Sequence, residues 1–253
     1  MPSKLMNCRF PRRNATVRLF CFPWAGGGSN FNANWGSSIN ENIEVVAILL
    51  PGRESRFTEP PIRTMSEVVD VITKAIVSQY SAKPFAFFGH SMGALLSFEI
   101  AKVLKEKHNM QPVKMYVSGM SGPREDKDKD TSKTQKRVCE ATDKEFIEFL
   151  RGMGGTPDEI LNNEEIMEVF LPVLRADYGM VDDHKFELPP SPTPMLTCPV
   201  DVFGGKQDSD RDYEAWRRIT SGKVNVTMRD GGHFYLKEKK NTEFFYNLIN
   251  GDF

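Results

Sequence analysis

Short runs that are apolar on both faces alternate along the chain with longer stretches in which apolar residues return every three or four positions. The short runs cover 16–22, 43–50, 85–88, 113–118, 200–203 and 223–228. Apolar character on both faces predicts parallel strands covered by helices on each side. Among the longer stretches, Thr64 followed by Glu67 has the pattern of a helix-opening capping box. Val68, Val69, Ile72, Ala75 and Ile76 then build one mostly apolar face. Further helices are predicted over about 92–107, after Asp210, and over roughly 239–249. Strands alternating with helices predict an α/β fold, a mainly parallel central sheet flanked by helices.

One segment breaks the alternation. No convincing strand pattern occurs between the run ending near Ser118 and the one beginning near Cys198. The segment opens with a polar charge run, "PREDKDKDTSKTQKRV", whose ordinary role is a solvated loop or helix face. Helical periodicity follows at 143–151 and 164–178, with Pro172 expected to bend the second helix. "LPPSPTP" then reads as an extended return. These features predict a core formed by 1–122 and 195–253 and a helical lid insertion over 123–194. Met153, Met167 and Met180 in that insertion suit an adaptable apolar pocket as well as they suit simple packing.

Composition narrows the possible partners. Hydrophobic residues make up 40% of the 253, enough for a sizeable core. Lys+Arg number 33 against 34 Asp+Glu. That balance provides no electrostatic basis for a nucleic-acid partner. Cys8, Cys21, Cys139 and Cys198 form no metal-binding spacing and suit a reducing compartment. The N-terminal residues lack the apolar centre of a signal peptide. No apolar run approaches the length of a membrane span. A cytosolic monomer is the expectation.

The chemistry concentrates in "FAFFGHSMGALLSFE". Gly89-His90-Ser91-Met92-Gly93 matches G-x-S-x-G, with an apolar strand before it and a helix after it, the setting of a nucleophile elbow. A serine hydroxyl needs a base within hydrogen-bond reach, and the chain has four histidines. His90 adjoins Ser91 and is expected to point elsewhere. His108 falls at the far end of the following helix, and His184 falls in the insertion. His233, in a glycine loop just after the last strand, is the candidate base. Asp208, just past a strand end, is the candidate to orient it. Asp201 falls inside a strand, while Asp210 and Asp212 suit helix capping. The order Ser91, Asp208, His233 is that of α/β-hydrolases.

With "LFCFPWAGGGS", "LPGRESR", "LPVLRADYGMV", "FGGKQD" and "GGHFYL" beside the elbow, the chain resembles the type II thioesterase family, particularly its animal members acting with fatty acid synthase. The resemblance implies an α/β-hydrolase fold. It also implies hydrolysis of acyl thioesters, carried as acyl-phosphopantetheine on an acyl carrier domain of a fatty acid or polyketide synthase, or as acyl-CoA. It implies no metal and no cofactor. By the resemblance, Ser91, His233 and Asp208 would take the nucleophile, base and orienting positions, and the backbone N–H groups of Ala25 and Met92 would form the oxyanion hole. The alternatives are editing of stalled chains on a polyketide or peptide synthase, a carboxylesterase, and a non-catalytic binding protein. A nucleotide site is disfavoured, since "AGGGSN" is neither G-x-G-x-x-G nor a P-loop. Arg53, Glu54 and Arg56 of "PGRESR" are expected to fix their loop by ion pairing or to meet an acidic carrier.

Overall fold

The computed structural model describes residues 4–123, 137–186 and 194–253. Most of the charge run and most of the proline-rich return therefore lie outside the described residues. Among those described, seven strands form one sheet in the order β1-β3-β2-β4-β5-β6-β7. They are β1 (Met6–Asn7), β2 (Val17–Phe22), β3 (Ile43–Ile48), β4 (Phe85–His90), β5 (Lys114–Ser118), β6 (Val200–Gly205) and β7 (Val224–Arg229). β1 runs antiparallel to β3, and the other pairings are parallel.

Residue alternation along the strands divides the core in two. Phe85 and Phe87 of β4 face a cluster that includes Val68, Ile72 and Ile76 of α2 (Met65–Gln79) and Leu96 and Ile100 of α3 (Met92–His108). Ala86 and Phe88 face the opposite cluster, with Trp35 and with Phe245 and Ile249 of α7 (Lys239–Asp252). Complete burial of each such large side chain contributes about 1.5–3 kcal/mol. Helix α2 starts where the capping pattern predicts, with Thr64 Oγ1 accepting from the Glu67 N–H at 3.3 Å. A short helix, α1 (Asn30–Ala33), follows β2.

The helix expected after Asp210 is instead a six-residue 3₁₀ segment, Glu214–Ile219. Asp212 opens it by accepting the Ala215 N–H at 3.0 Å. The bridge between Thr220 and Leu196 closes it, leaving less than two α-helical turns. After β5 come α4 (Asp143–Met153), α5 (Asp158–Leu161) and α6 (Glu164–Asp183), the last running through Pro172. They share a small cluster of their own, Phe146, Leu150, Leu161, Met167 and Leu171. Among the described residues, no helix is long and apolar enough to cross a membrane.

Candidate active site

The parallel strands bring the candidate residues to one end of the sheet. Ser91, between β4 and α3, holds φ 55° and ψ −121°. A non-glycine residue in such a region costs about 1–3 kcal/mol and persists where its surroundings over-determine it. The surroundings do so here. The Ser91 N–H donates to Ser118 O at 2.8 Å, continuing the pairing of β4 with β5. A Cβ on Gly89 would collide with the Gly93 backbone, and one on Gly93 with the Phe22 carbonyl. Met92 begins α3 and is fully buried. Its N–H, like others of a first helical turn, has no partner within the helix.

Asp208 and His233 come together because two loops are zipped. Lys206 N–H donates to Arg229 O (2.8 Å), and Gln207 N–H donates to Gly231 O (3.0 Å). Gln207 Oε1 in turn accepts the Gly231 N–H (2.5 Å). The turn after β6 thus lies against the loop after β7, and His233 Nδ1 donates to Asp208 Oδ2 at 2.8 Å. That bond takes up Nδ1 and leaves Nε2 as the ring nitrogen facing away from Asp208. Asp208 Oδ2 also accepts from Arg211 Nε (3.0 Å), and Oδ1 accepts from the Ser209 N–H (2.8 Å). Burial opposes ionisation of Asp208. The hydrogen bond from His233 and the neighbouring His233 and Arg211 charges outweigh it, and the carboxyl is held well below the usual carboxylate range. No hydrogen bond joins Ser91 to His233 among the described residues; bonds of this kind often tighten only when substrate is bound.

His90 points inward, against His233. Its ring centre lies 4.8 Å from that of His233. Its Nδ1 is 2.9 Å from Ser118 Oγ, which lies 2.7 Å from Tyr235 Oη. Burial first, and the adjacent His233 second, keep His90 neutral with its pKa well below the ordinary value. The other two histidines lie apart from this cluster. His108 ends α3, and His184 follows α6, 3.5 Å from Glu99. Asp201 pairs with Lys114 at 2.8 Å inside the sheet.

Ala25 lies in the loop after β2. The turn is closed by the Gly27 N–H donating to Trp24 O at 2.8 Å. Next to Ala25, the Gly26 N–H donates to Asp177 Oδ2 of α6 at 2.7 Å. Arg53 pairs with the same carboxylate at 2.7 Å, so this arginine serves as an ion-pairing residue of its loop. A cavity opens beside Ala25, lined by Trp24, Leu150, Met153, Leu174, Tyr178 and Phe234 among others. Met153 and Met167 line it, whereas Met180 packs into the main core.

Sequence reasoning missed Asp177, Arg211, Ser118 and Tyr235. For Asp177 a signal existed. It is an acidic residue on the apolar stripe of α6, four residues after Val173 and three before Met180, both buried. Among the described residues, no cluster of three or more His, Cys, Asp or Glu could hold a metal ion.

Comparison with known proteins gives the chain its family. Residues 17–252 match the family model described as "Thioesterase domain". The chain is 38% identical to the S-acyl fatty acid synthase thioesterase, medium chain, of Rattus norvegicus, over 97% of this chain and 91% of that protein. It is also 38% identical to the gramicidin S biosynthesis protein GrsT of Aneurinibacillus migulanus, over 89% of this chain and 85% of that one. Among solved structures, the RedJ thioesterase from the prodiginine pathway of Streptomyces coelicolor superposes with a TM-score of 0.82 at 30% identity, over 94% of this chain and 87% of that one. A mostly parallel sheet with helices on both faces, a strained serine between strand and helix at its end and a family match across nearly the whole length lead to one conclusion: the chain is an α/β-hydrolase-fold member of the thioesterase family.

Proposed function

We propose that the protein hydrolyses acyl thioesters on the phosphopantetheine arm of an acyl carrier domain and releases free, medium-chain fatty acids from a fatty acid synthase. The observation that carries the mechanism is the Asp208–His233 hydrogen bond beside a strained serine at an elbow. His233 Nε2 takes the Ser91 proton as Oγ attacks the thioester carbonyl. The N–H groups of Ala25 and Met92 hold the resulting oxyanion, each worth ~3–4 kcal/mol of barrier. The C–S bond breaks, and the pantetheine thiolate leaves with the proton held by His233. Water then enters, His233 takes its proton, and the acyl-serine is hydrolysed to the free acid. Asp208 stays ionised throughout and stabilises the imidazolium.

The helices within 123–194 act as a lid, with the cavity beside Ala25 as the acyl site. Its lining of Leu150, Met153 and Leu174 suits an alkyl chain. The similarity to the gramicidin S protein supports editing of a peptide or polyketide synthase as the second reading. A carrier-loaded series of acyl thioesters, run beside oxygen esters of equal length, tests the assignment. Faster release from thioesters, peaking at medium length, is expected. Preference for oxygen esters would overturn the thioesterase reading, and preference for short, stalled units would favour editing.

A further inference from the structure

One carboxylate in the helical segment reaches the backbone of the catalytic loop. Asp177 is fully buried. Its Oδ2 accepts the Gly26 N–H at 2.7 Å and Arg53 Nη1 at 2.7 Å, and its Oδ1 accepts Arg53 Nη2 at 2.9 Å. Arg53 Nη1 also donates to Gly27 O at 3.0 Å. The loop is therefore gripped at two neighbouring points, an N–H by the carboxylate and a carbonyl by the guanidinium. Its far side is held separately, by Glu54 accepting from the Asn30 N–H and from Ser29 Oγ. Gly26 holds φ 75° and packs under Leu174 of α6.

A buried ion pair is weak evidence of net stability, because desolvation offsets its attraction. This pair has a geometric consequence instead. The peptide fixed by Asp177 is the Ala25–Gly26 peptide. It adjoins the Trp24–Ala25 peptide that carries the Ala25 N–H, and the Gly27 N–H donating to Trp24 O at 2.8 Å ties that second peptide into the same gripped turn. A carboxylate so near an oxyanion site would by itself repel the developing charge. Arg53, paired through two bonds, cancels it.

We infer that Asp177 is a positioning residue for the oxyanion hole, acting through Gly26, with Arg53 as its neutralising partner. This inference rests on the proposed roles of Ser91 and Ala25. Because Asp177 belongs to α6, the hole is complete only while that helix is seated on the core. Helix α6 and the catalytic loop are thereby one coupled unit.

The test compares a transition-state mimic with a ground-state ligand. The mimic is a trifluoromethyl ketone analogue of octanoyl-CoA, which forms an oxyanion with the serine. The ground-state ligand is octanoyl-CoA itself, bound to the Ser91→Ala background. Asp177→Ala should lower kcat by about 10–100-fold with KM within about two-fold, since small misplacements of catalytic groups cost on this order. Affinity for the ketone should fall in parallel, while octanoyl-CoA binds Ser91→Ala/Asp177→Ala as it binds Ser91→Ala. Asp177→Asn keeps an oxygen for Gly26 and should recover part of the loss. Arg53→Lys, which keeps the charge without the paired geometry, gives a second reading if the alanine variant does not fold. Unchanged ketone affinity in folded variants would overturn the inference, as would losses that follow melting temperature alone. Undiminished turnover by Ser91→Ala would instead overturn the site assignment, a separate outcome.

Discussion

The sheet end and the helical segment over it hold their functional groups by different means. At the sheet end, backbone does the placing. Ser91 is registered by the β4–β5 pairing, and the Asp208 and His233 loops are zipped by main-chain bonds between neighbouring strand ends. In the segment from α4 to α6, side chains do it. A cluster around Phe146 packs the helices together, and the links to the core include the Asp177–Arg53 pair and Lys237 Nζ donating to Gly155 O at 2.7 Å. A parallel ladder fixes Ser91 and His233, the proposed nucleophile and base, within one rigid layer. The side-chain links leave the segment as a second layer with its own local stability.

Three substitutions should break that comparison most visibly. Ser91→Ala removes the nucleophile from an otherwise intact frame, and thioester turnover should fall by at least about 10³-fold with circular dichroism unchanged. Next in size are two phenylalanines, one in each layer. Phe88 is buried in β4, with its ring centre 4.7 Å from that of Trp35. Phe88→Ala should cost about 3–5 kcal/mol of global stability. Phe146 is equally buried, but in the cluster of the helical segment. Phe146→Ala should expose the amides of 143–183 to hydrogen exchange, leave those of β2, β4 and β5 protected, and broaden the chain-length profile. Equal loss of protection in both layers would mean that they open as one unit.

The same contrast explains what could be read from the amino-acid sequence. The β4 run shows itself because both faces are covered, so Phe85 to Phe88 have no polar alternation to lose. Ser91, Asp208 and His233 stand at strand ends, where local pattern and chain order single them out as candidates. β1 has two residues and pairs antiparallel, too short to leave a period. The Asp177–Arg53 pair spans 124 residues, and local pattern says nothing about a partner at that distance. His90 was expected to turn away from the site. Its position inside the last residues of β4 turns its ring toward His233, because alternation along the strand, more than proximity to Ser91, decides its direction.

His90 offers a pH-dependent way to sharpen the comparison, with a smaller effect than the substitutions above. Around its ring stand His233, Trp24, Phe234 and Tyr235, with the charges of Asp208, Arg211 and Lys237 also acting on it. Burial keeps its folded pKa well below the ordinary 6.5. The unfolded chain therefore binds the proton more readily than the folded one. Stability from this residue is complete above pH 6.5 and is withdrawn as pH falls below it. Asp208 carries the same sign in a lower window, although it is the charged form that is favoured there. Its depressed carboxyl contributes above its ordinary 3.8 and loses that contribution only on further acidification. Between pH 6.5 and 5 the melting temperature should fall more steeply in the wild type than in His90→Gln. Parallel slopes would remove His90 as the source.

The smallest effect concerns where each layer keeps its strain. Ser91 takes a positive φ as a non-glycine residue, whereas the turn between α4 and α5 uses Gly154 and Gly155 at φ 72° and 84°. The sheet end thus bears a conformational cost at Ser91, and the helical segment avoids one. Ser91→Gly relieves the strain that Ser91→Ala retains. It should therefore melt above the alanine variant, by a stability gain of about 1 kcal/mol or roughly 2–4 °C for a chain of this size. Gly154→Ala is the mirror experiment. A Cβ there would meet no atom within 4 Å, so its expected loss of about 1 kcal/mol is conformational alone. That loss should appear in the exchange of 143–183 and leave the sheet unaltered. If Ser91→Gly and Ser91→Ala melt together, the elbow is unstrained, and the backbone zipper alone accounts for how the serine is held.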